Sequence, residues 1–446
     1  MSKQDKKELR QQIACEWLEE NYLQFGSLRH DVVTDRLQIR MADSLEDASL
    51  QNAPEGLQFR GKENWRNLTD KDINTMVCQC VAEKGVNIST NEMWTALKSD
   101  MVPAVHSLRA WLDGLRPYTA DQPDWIDMVA QQVKVKPSGE EAKGDKARGE
   151  ELWRACFKKW FVAMVASWMK DEVVNHTVLV LVGRQGIFKT TWLDHLIPPE
   201  LRAYSSKLPL SGQISKDDRL RLCENGMLNI DELDAMCGRE MNIVKSLLTS
   251  TDVNERAAYG RLKERRVRLA SFCASTNKRE FLTDITGNRR WLPFEVESIQ
   301  NPFHTIIPYE RLYAQAKALV EEGIFSYWFD MEEMEVLEAH NEEFRALENE
   351  EQLLPILFDI PAEGKGEFMT TAEISDKLVT YGGIKKPMNS RKLGMLLSKR
   401  GYTKRTMYIS GTMVRGWIVY QREADEIKLV KKRENVLTSL QPDNLF

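Results

Sequence analysis

The run Thr177-Val-Leu-Val-Leu-Val182 constrains this chain more than any other, because it is uncharged, ends in Gly183-Arg-Gln-Gly-Ile-Phe-Lys189-Thr190 and leads into a helical pattern. A continuous apolar strand of this kind needs cover on both faces, which parallel sheets flanked by helices supply. A glycine-rich turn between such a strand and a helix predicts a phosphate-binding loop, with backbone N–H groups and the helix N-terminus around the phosphate oxygens. The candidate nucleotide-binding set is Gly183, Arg184, Gln185, Gly186, Ile187, Phe188, Lys189, Thr190 and Thr191, with ATP and Mg2+ as the implied ligands. Lys189 would reach the β- and γ-phosphates and Thr190 would ligate the metal. The run departs from G-x-x-x-x-G-K-[ST] at one place, where Phe188 stands in the position of a glycine. A bulky residue there alters how closely the backbone approaches the nucleotide.

Three later segments suit this loop in the order they occur. Met227-Leu-Asn-Ile230-Asp231-Glu232 is a short apolar strand ending in two acids, which would place Asp231 on magnesium and Glu232 near an attacking water. A strand from Leu269 to Thr276 ends at Asn277, whose amide would position that water; a simple turn or cap is the alternative. Arg289 and Arg290 follow in a turn, and guanidinium groups suit the charge on a transferring phosphoryl group, often from a neighbouring subunit. Between 177 and 296 β-rich runs alternate with helical ones, which predicts an α/β core with a largely parallel sheet.

At 446 residues the chain exceeds one hydrophobic core, and two or three domains are expected. Its net charge of -5 excludes a uniformly basic coat but conceals a swing. Residues 321–360 hold thirteen acids against the lone Arg345, whereas 361–420 hold eleven Lys or Arg against four acids. Seven cysteines are too few for a disulfide scaffold, and the pair Cys78 and Cys80 has no second ligand cluster, so no metal site is expected there. The charged N-terminus and the absence of a long apolar run predict a cytoplasmic protein with no membrane partner. Residues 5–25 read as an amphipathic helix, and Trp65 to about Val135 as mainly helical with Asp70 and Ser89 as caps.

The C-terminal region carries a further pattern. Thr371 to Thr380 and a Ser390-capped helix through Arg400 precede two alternating strands joined at Ser410-Gly411. Helix, helix and basic hairpin predict a winged helix, with Arg391, Lys392, Lys399 and Arg400 outside and available to duplex or forked DNA; protein binding is the alternative use. The expected division is a helical N-terminal region 1–135, a P-loop core 136–320, an acidic helical connector 321–363, the winged helix 364–425 and a tail 426–446.

Together the runs GRQGIFKTT, LNIDELD, YGRLKERRVR and STNKREFLTDITGNRRW resemble the virulence-associated E (VirE/VapE) family, related to superfamily 3 helicases of viruses, phages and mobile elements. The resemblance is strongest over about 150–300 and implies an AAA+-like fold, a homo-oligomeric ring with a hexamer favoured, and ATP-driven DNA unwinding in replication of a mobile element. The N-terminal region would form a collar. The basic stretch Arg256, Tyr259, Arg261, Lys263, Arg265, Arg266 centres on Gly260, and its position matches the DNA-gripping hairpin of superfamily 3 proteins. Its cations suit phosphates and Tyr259 suits stacking on a base of single-stranded DNA; a solvated loop or a subunit-contact surface is the alternative. The competing functional reading is a nucleotide-dependent DNA-binding initiator or switch that does not unwind DNA. No paired-carboxylate motif for a primase is present.

Overall fold

The computed structural model describes residues 3–40, 65–137, 146–208, 215–231, 233, 238–255, 264–282, 288–362, 366–385, 387–409 and 411–430. The chain forms two compact units: Met1–Arg279 with Arg289–Glu343, and Glu280–Asn288 with Phe344–Phe446. Among the described residues no helix is long and apolar enough to cross a membrane.

The first unit opens with α1 (Lys3–Leu18), continued by a π turn. Strands β1 (Leu28–Asp31), β2 (Arg36–Arg40) and β3 (Trp65–Asn67) follow, then α2 (Asp70–Lys84), α3 (Thr90–Leu97), β4 (Ala104–Val105), α4 (Ser107–Asp113) and α5 (Trp125–Ala130). The four strands form a sheet in the order β3-β2-β1-β4. The region expected to be mainly helical thus carries a small sheet beside its helices. Two charged strands, Leu-Arg-His-Asp and Arg-Leu-Gln-Ile-Arg, pair through a turn at Asp35, whose φ is +54°. They escape a periodicity reading because each is too short to show a convincing alternation. Thr69, not Asp70, caps α2, while Ser89 caps α3 in a reciprocal arrangement with Glu92, as its sequence position predicts.

The central layer begins with β5 (Val133–Val135), α6 (Lys146–Met169), β6 (Val178–Val182), α7 (Lys189–Asp194), β7 (Ser205–Lys207), α8 (Lys216–Glu224) and β8 (Met227–Ile230). It continues with α9 (Gly238–Thr249), β9 (Asp252–Glu255), β10 (Glu264–Val267), β11 (Ser271–Thr276), β12 (Trp291–Ile299), α10 (Tyr309–Glu322) and α11 (Met331–Asn341). The sheet order is β5-β12-β6-β11-β8-β7, parallel from β12 to β7, with β5 antiparallel at the β12 edge. The expected α/β layer with a largely parallel sheet is therefore present, and it reaches back to Val133, inside the region assigned to the N-terminal part. Every residue of β6, β8 and β11 is buried. Aromatic residues of α6 pack against the sheet, and their polar tips find backbone partners: Trp153 donates to Ala130 O, Trp160 to Phe272 O and Trp168 to Gly226 O. Burying each such ring contributes roughly 2–3 kcal/mol, and the paired N–H avoids the cost of an orphaned donor.

The acidic stretch does not form a separate connector. Its first part, α11, belongs to the first unit, where His340 Nε2 lies 2.6 Å from Pro293 O and Asn341 Nδ2 donates to Trp291 O at 3.0 Å. Its second part opens the second unit, which thus begins at Phe344 and not near 364. That unit contains α12 (Asn349–Leu357), β13 (Phe358–Asp359), β14 (Glu367–Met369), α13 (Thr371–Gly382), α14 (Ser390–Lys399), β15 (Thr403–Ile409) and β16 (Thr412–Gln421). Leu354, Leu357 and Phe358 pack with Ile374, Leu378, Leu393, Leu396 and Trp417 in one core. Glu351 is buried against Arg345 in a two-pronged ion pair, and Glu350 accepts the Met388 N–H at 2.5 Å. Buried carboxylates need partners, and those of Glu350 and Glu351 lie elsewhere in the same unit. Asn389, not Ser390, caps α14.

Candidate functional site

The carboxyl ends of β6, β11 and β8 lie side by side, and the polar residues that follow them converge there. In an open parallel sheet, this is where ligands bind. A cleft of about 300 Å³ is lined by Gln185, Gly186, Phe188, Lys189, Thr190, Thr191, Asp231, Ser275, Thr276 and Asn277.

The loop leaves β6 through a tight curl. Gly183, Gly186 and Phe188 all have positive φ, at 154°, 85° and 67°. At Gly183 an added Cβ would meet the Ile187 side chain at 3.1 Å and Val296 O at 3.2 Å, so glycine is required by space as well as by torsion. Phe188 occupies the left-handed region at the position where the motif calls for glycine, which costs a bulky residue about 1–2 kcal/mol. The curl survives the substitution. Its ring stands edge-on to Phe303 at 6.4 Å between centroids, and Phe303 in turn meets His195.

Lys189 is only 7% exposed. Its Nζ donates to Gly183 O at 2.7 Å, Arg184 O at 2.8 Å and Asn277 Oδ1 at 3.0 Å. A cation thus sits inside the loop, tied to the β11 terminus by the amide that sequence reasoning singled out. One residue on, Thr190 Oγ1 donates to Asp231 Oδ1 at 3.2 Å and lies 2.9 Å from Ser275 Oγ, which is itself 3.3 Å from Asp231. Lys207 closes the group with Nζ 2.6 Å from Asp231 Oδ2. Partial burial alone would raise the Asp231 pKa, but the Lys207 ammonium, then the Thr190 and Ser275 hydroxyls, outweigh it and hold the carboxyl below its ordinary value. Asp231 is therefore an anion at neutral pH, with a hydroxyl of Thr190 beside it: an oxygen set that suits a hard divalent cation.

Ser275 and Lys207 were not among the sequence candidates. Ser275 lies two residues before Asn277, near the end of β11, and that spacing was the available signal. Lys207 ends a three-residue strand with no apolar pattern, and nothing local marks it.

Arg289 and Arg290 begin the turn into β12, whose first residue pairs with Val178 at the opposite end of β6 from Gly183. The pair is thus remote from the loop of its own chain. Arg289 is exposed and Arg290 half-buried. Glu232, Arg256, Tyr259, Arg261 and Lys263 lie outside the described residues. The flanks of the basic stretch form an antiparallel ribbon, with Glu255 opposite Glu264 and Val253 opposite Arg266. Arg265 binds Asp252 at 2.7 Å and remains largely exposed. Arg266 departs from the DNA-facing expectation: it is held by Glu224 at 3.2 Å and by Val33 O, so packing within the unit accounts for it. On the second unit, Arg391 and Lys399 are exposed, whereas Lys392 pairs with Glu348 and Arg400 is half-buried, donating to Glu351 O at 3.4 Å.

Residues 145–346 match the family model of the virulence-associated protein E-like domain, and this region contains the whole loop-centred cluster. The match ends close to the division between the two units at Glu343 and Phe344. No curated protein matches the chain. Among solved structures, the apo structure of NrS-1 C terminal region (305-718) is 11% identical over 89% of this chain and 97% of that one, with a TM-score of 0.43. The A form apo structure of the same region is 11% identical over 88% and 96%, with a TM-score of 0.39.

The strained position yields a first expected result. Phe188→Gly removes the left-handed penalty but adds backbone entropy to the unfolded chain, so net stability should move by less than about 1 kcal/mol. On the nucleotide-binding reading of the loop, affinity should improve by roughly five- to tenfold as the backbone closes on the phosphates, an effect of about 1 kcal/mol. Titration of a fluorescent ATP analogue checks this, with Phe188→Ala as the variant that loses the ring and keeps the strain. Equal affinity for all three proteins would show that the ring does not limit approach.

Proposed function

We propose that this chain is a magnesium-dependent P-loop ATPase that drives movement on DNA, a helicase or translocase of the superfamily 3 type serving replication of a phage or mobile element. The observation that carries the reading is the convergence of Lys189, Thr190, Asp231, Ser275 and Asn277 at the ends of three adjacent parallel strands. The oxygen pair of Thr190 and Asp231 fits Mg2+, and the enclosed ammonium of Lys189 beside the curled loop fits phosphate. Bound Mg-ATP would supply the transferable phosphoryl group and the charge that activates it. Lys189, now bonded to its loop carbonyls, would hold the phosphate oxygens, and Thr190 with Asp231, now paired with Lys207, would hold the metal. Asn277, beside Lys189, orients the attacking water, and Glu232 is the base that the sequence order assigns.

The placement of Arg289 and Arg290 at the far end of β6 favours action on a neighbour's nucleotide, in a homo-oligomeric ring with a hexamer preferred. An AAA+-like core of this kind would sit behind a helix-and-strand N-terminal collar. The second unit, with α13, α14 and the β15–β16 hairpin, is a winged helix that presents Arg391 and Lys399 to duplex or forked DNA. The other reading, a nucleotide-dependent DNA-binding switch without unwinding, is favoured by Phe188 and by the grip of Lys207 on Asp231, both of which would slow turnover.

ATP hydrolysis with and without single-stranded DNA, followed by strand displacement on a fork, separates the two. Stimulated turnover with displacement is the expected result. Binding of ATP and DNA with turnover indifferent to DNA and no displacement would leave the switch.

A further inference from the structure

The β15–β16 hairpin extends past the fold that supports it. β14 pairs with β16 at Val419, Ile418 and Trp417, so among the described residues the ladder pairs from Thr406–Arg415 to Ile409–Thr412 have no third strand beside them. At the point of departure Gly416 is required, since an added Cβ would meet Met369 O at 2.5 Å. The free ribbon is roughly 13 Å long at the rise of an extended strand. Every residue of β15 is exposed. Even so, its end is apolar: Tyr408 is 76% and Met413 68% exposed, and they stand directly opposite one another. Met407 and Ile409 add to the same tip.

The pair Lys404–Trp417 shares a face with Thr406–Arg415 and Tyr408–Met413, because opposite residues and every second pair lie on one side of a ribbon. Trp417 is buried on that face, in the core with Leu393 and Leu396 of α14, and donates to Thr371 Oγ1 at 3.0 Å. The Tyr408–Met413 platform is therefore the outward continuation of the helix-facing side. Its stem carries Lys404, Arg405 and Arg415. From 377 to 422 the sequence holds eleven Lys or Arg and no Asp or Glu. Charge of one sign suits a polyanion, and Lys404 and Arg405 on the edge strand oppose addition of a second strand.

We infer that the hairpin tip is a stacking wedge for the junction between duplex and single-stranded DNA. Tyr408 and Met413 cover the terminal base pair, while Lys404, Arg405 and Arg415 hold the flanking phosphates. Apolar wedges and aromatic platforms are the side chains that proteins use against exposed base steps. This site rests on the reading that the second unit binds DNA, and it adds a place for the fork itself, separate from Arg391 and Lys399.

The test is fluorescence anisotropy on the full chain without nucleotide, comparing a fork with a blunt duplex of equal length. The unaltered chain should prefer the fork. Tyr408→Ala/Met413→Ala should weaken fork binding about tenfold, the worth of one or two stacking contacts, and leave blunt-duplex affinity within about twofold. Lys404→Ala/Arg405→Ala/Arg415→Ala should weaken both substrates alike and flatten the salt dependence. An unaltered chain that binds neither substrate overturns the DNA reading and the wedge together. Binding to both with a fork preference that survives Tyr408→Ala/Met413→Ala overturns the wedge alone, as does a change in assembly size by light scattering with fork binding intact.

Discussion

Lys189→Ala is expected to reduce ATP hydrolysis by at least about 10³-fold, or roughly 4 kcal/mol of transition-state stabilisation. The side chain is enclosed by Gly183 O, Arg184 O and Asn277 Oδ1, so its ammonium is already oriented and largely shielded before any phosphate arrives. A charge placed in advance in a shielded site acts on developing negative charge without reorganisation. Lys189→Arg should be nearly as damaging, because a planar guanidinium does not fit where one ammonium serves three acceptors from different directions. The fold should survive both changes, since the core beneath α7 is built by Trp192 and Leu193. The measurement is steady-state phosphate release, with circular dichroism as the folding control. A folded Lys189→Ala protein that retains most of the turnover would place the chemistry elsewhere.

Much of this site was legible because each component ends an apolar run. Val178–Val182, Met227–Ile230 and Ser271–Thr276 are strands that need burial on both faces, and a polar residue just past such a strand has only the sheet's end to occupy. The order of the strands was not legible. Placing β11 between β6 and β8 is a long-range decision, and it brings Ser275 between Thr190 and Asp231 and Asn277 against Lys189. Lys207 was invisible for the same reason: its partner is supplied by a neighbouring strand, not by its own segment.

The acidic stretch shows a second limit of local reading. Met334, Leu337, Phe344 and Leu347 have near-heptad spacing, the pattern of one packed helix. In the fold Leu337 lies in the core of the first unit, Phe344 is buried in the second, and Leu347 is exposed. The break falls where Arg345 and Glu351 form their buried pair, which demands that the chain turn so that both forks meet. Periodicity records which residues are apolar, but not that two opposite charges six positions apart will be desolvated together.

A comparable inversion makes Arg268→Met the other large expected effect. In the sequence Arg268 stands two residues past the basic stretch that ends at Arg266, yet its side chain is fully buried at the start of the segment leading into β11. Its Nη1 donates to Leu247 O at 3.0 Å and Leu248 O at 2.8 Å, Nη2 to Asn175 O at 2.8 Å and Nε to Ala270 O at 3.1 Å. Leu247 and Leu248 lie in the last turn of α9, where helix carbonyls lack intrahelical partners and a cation is favoured. Burial pulls the guanidinium pKa down to about 9, which leaves it charged at neutral pH. Because the folded value lies below the unfolded one, alkali above about 9 favours the native state through this group, and the effect of substitution should be flat across neutral pH. Methionine matches much of the volume but leaves several buried carbonyls without donors, at about 1–3 kcal/mol each before relaxation. A loss of about 4 kcal/mol or more in urea unfolding is therefore expected, with Arg268→Lys intermediate because three donors replace five. A loss under about 1 kcal/mol would mean that water or backbone shifts satisfy those carbonyls, and that the joint between α9 and β11, which carries Ser275 and Asn277 to the site, is held by packing alone.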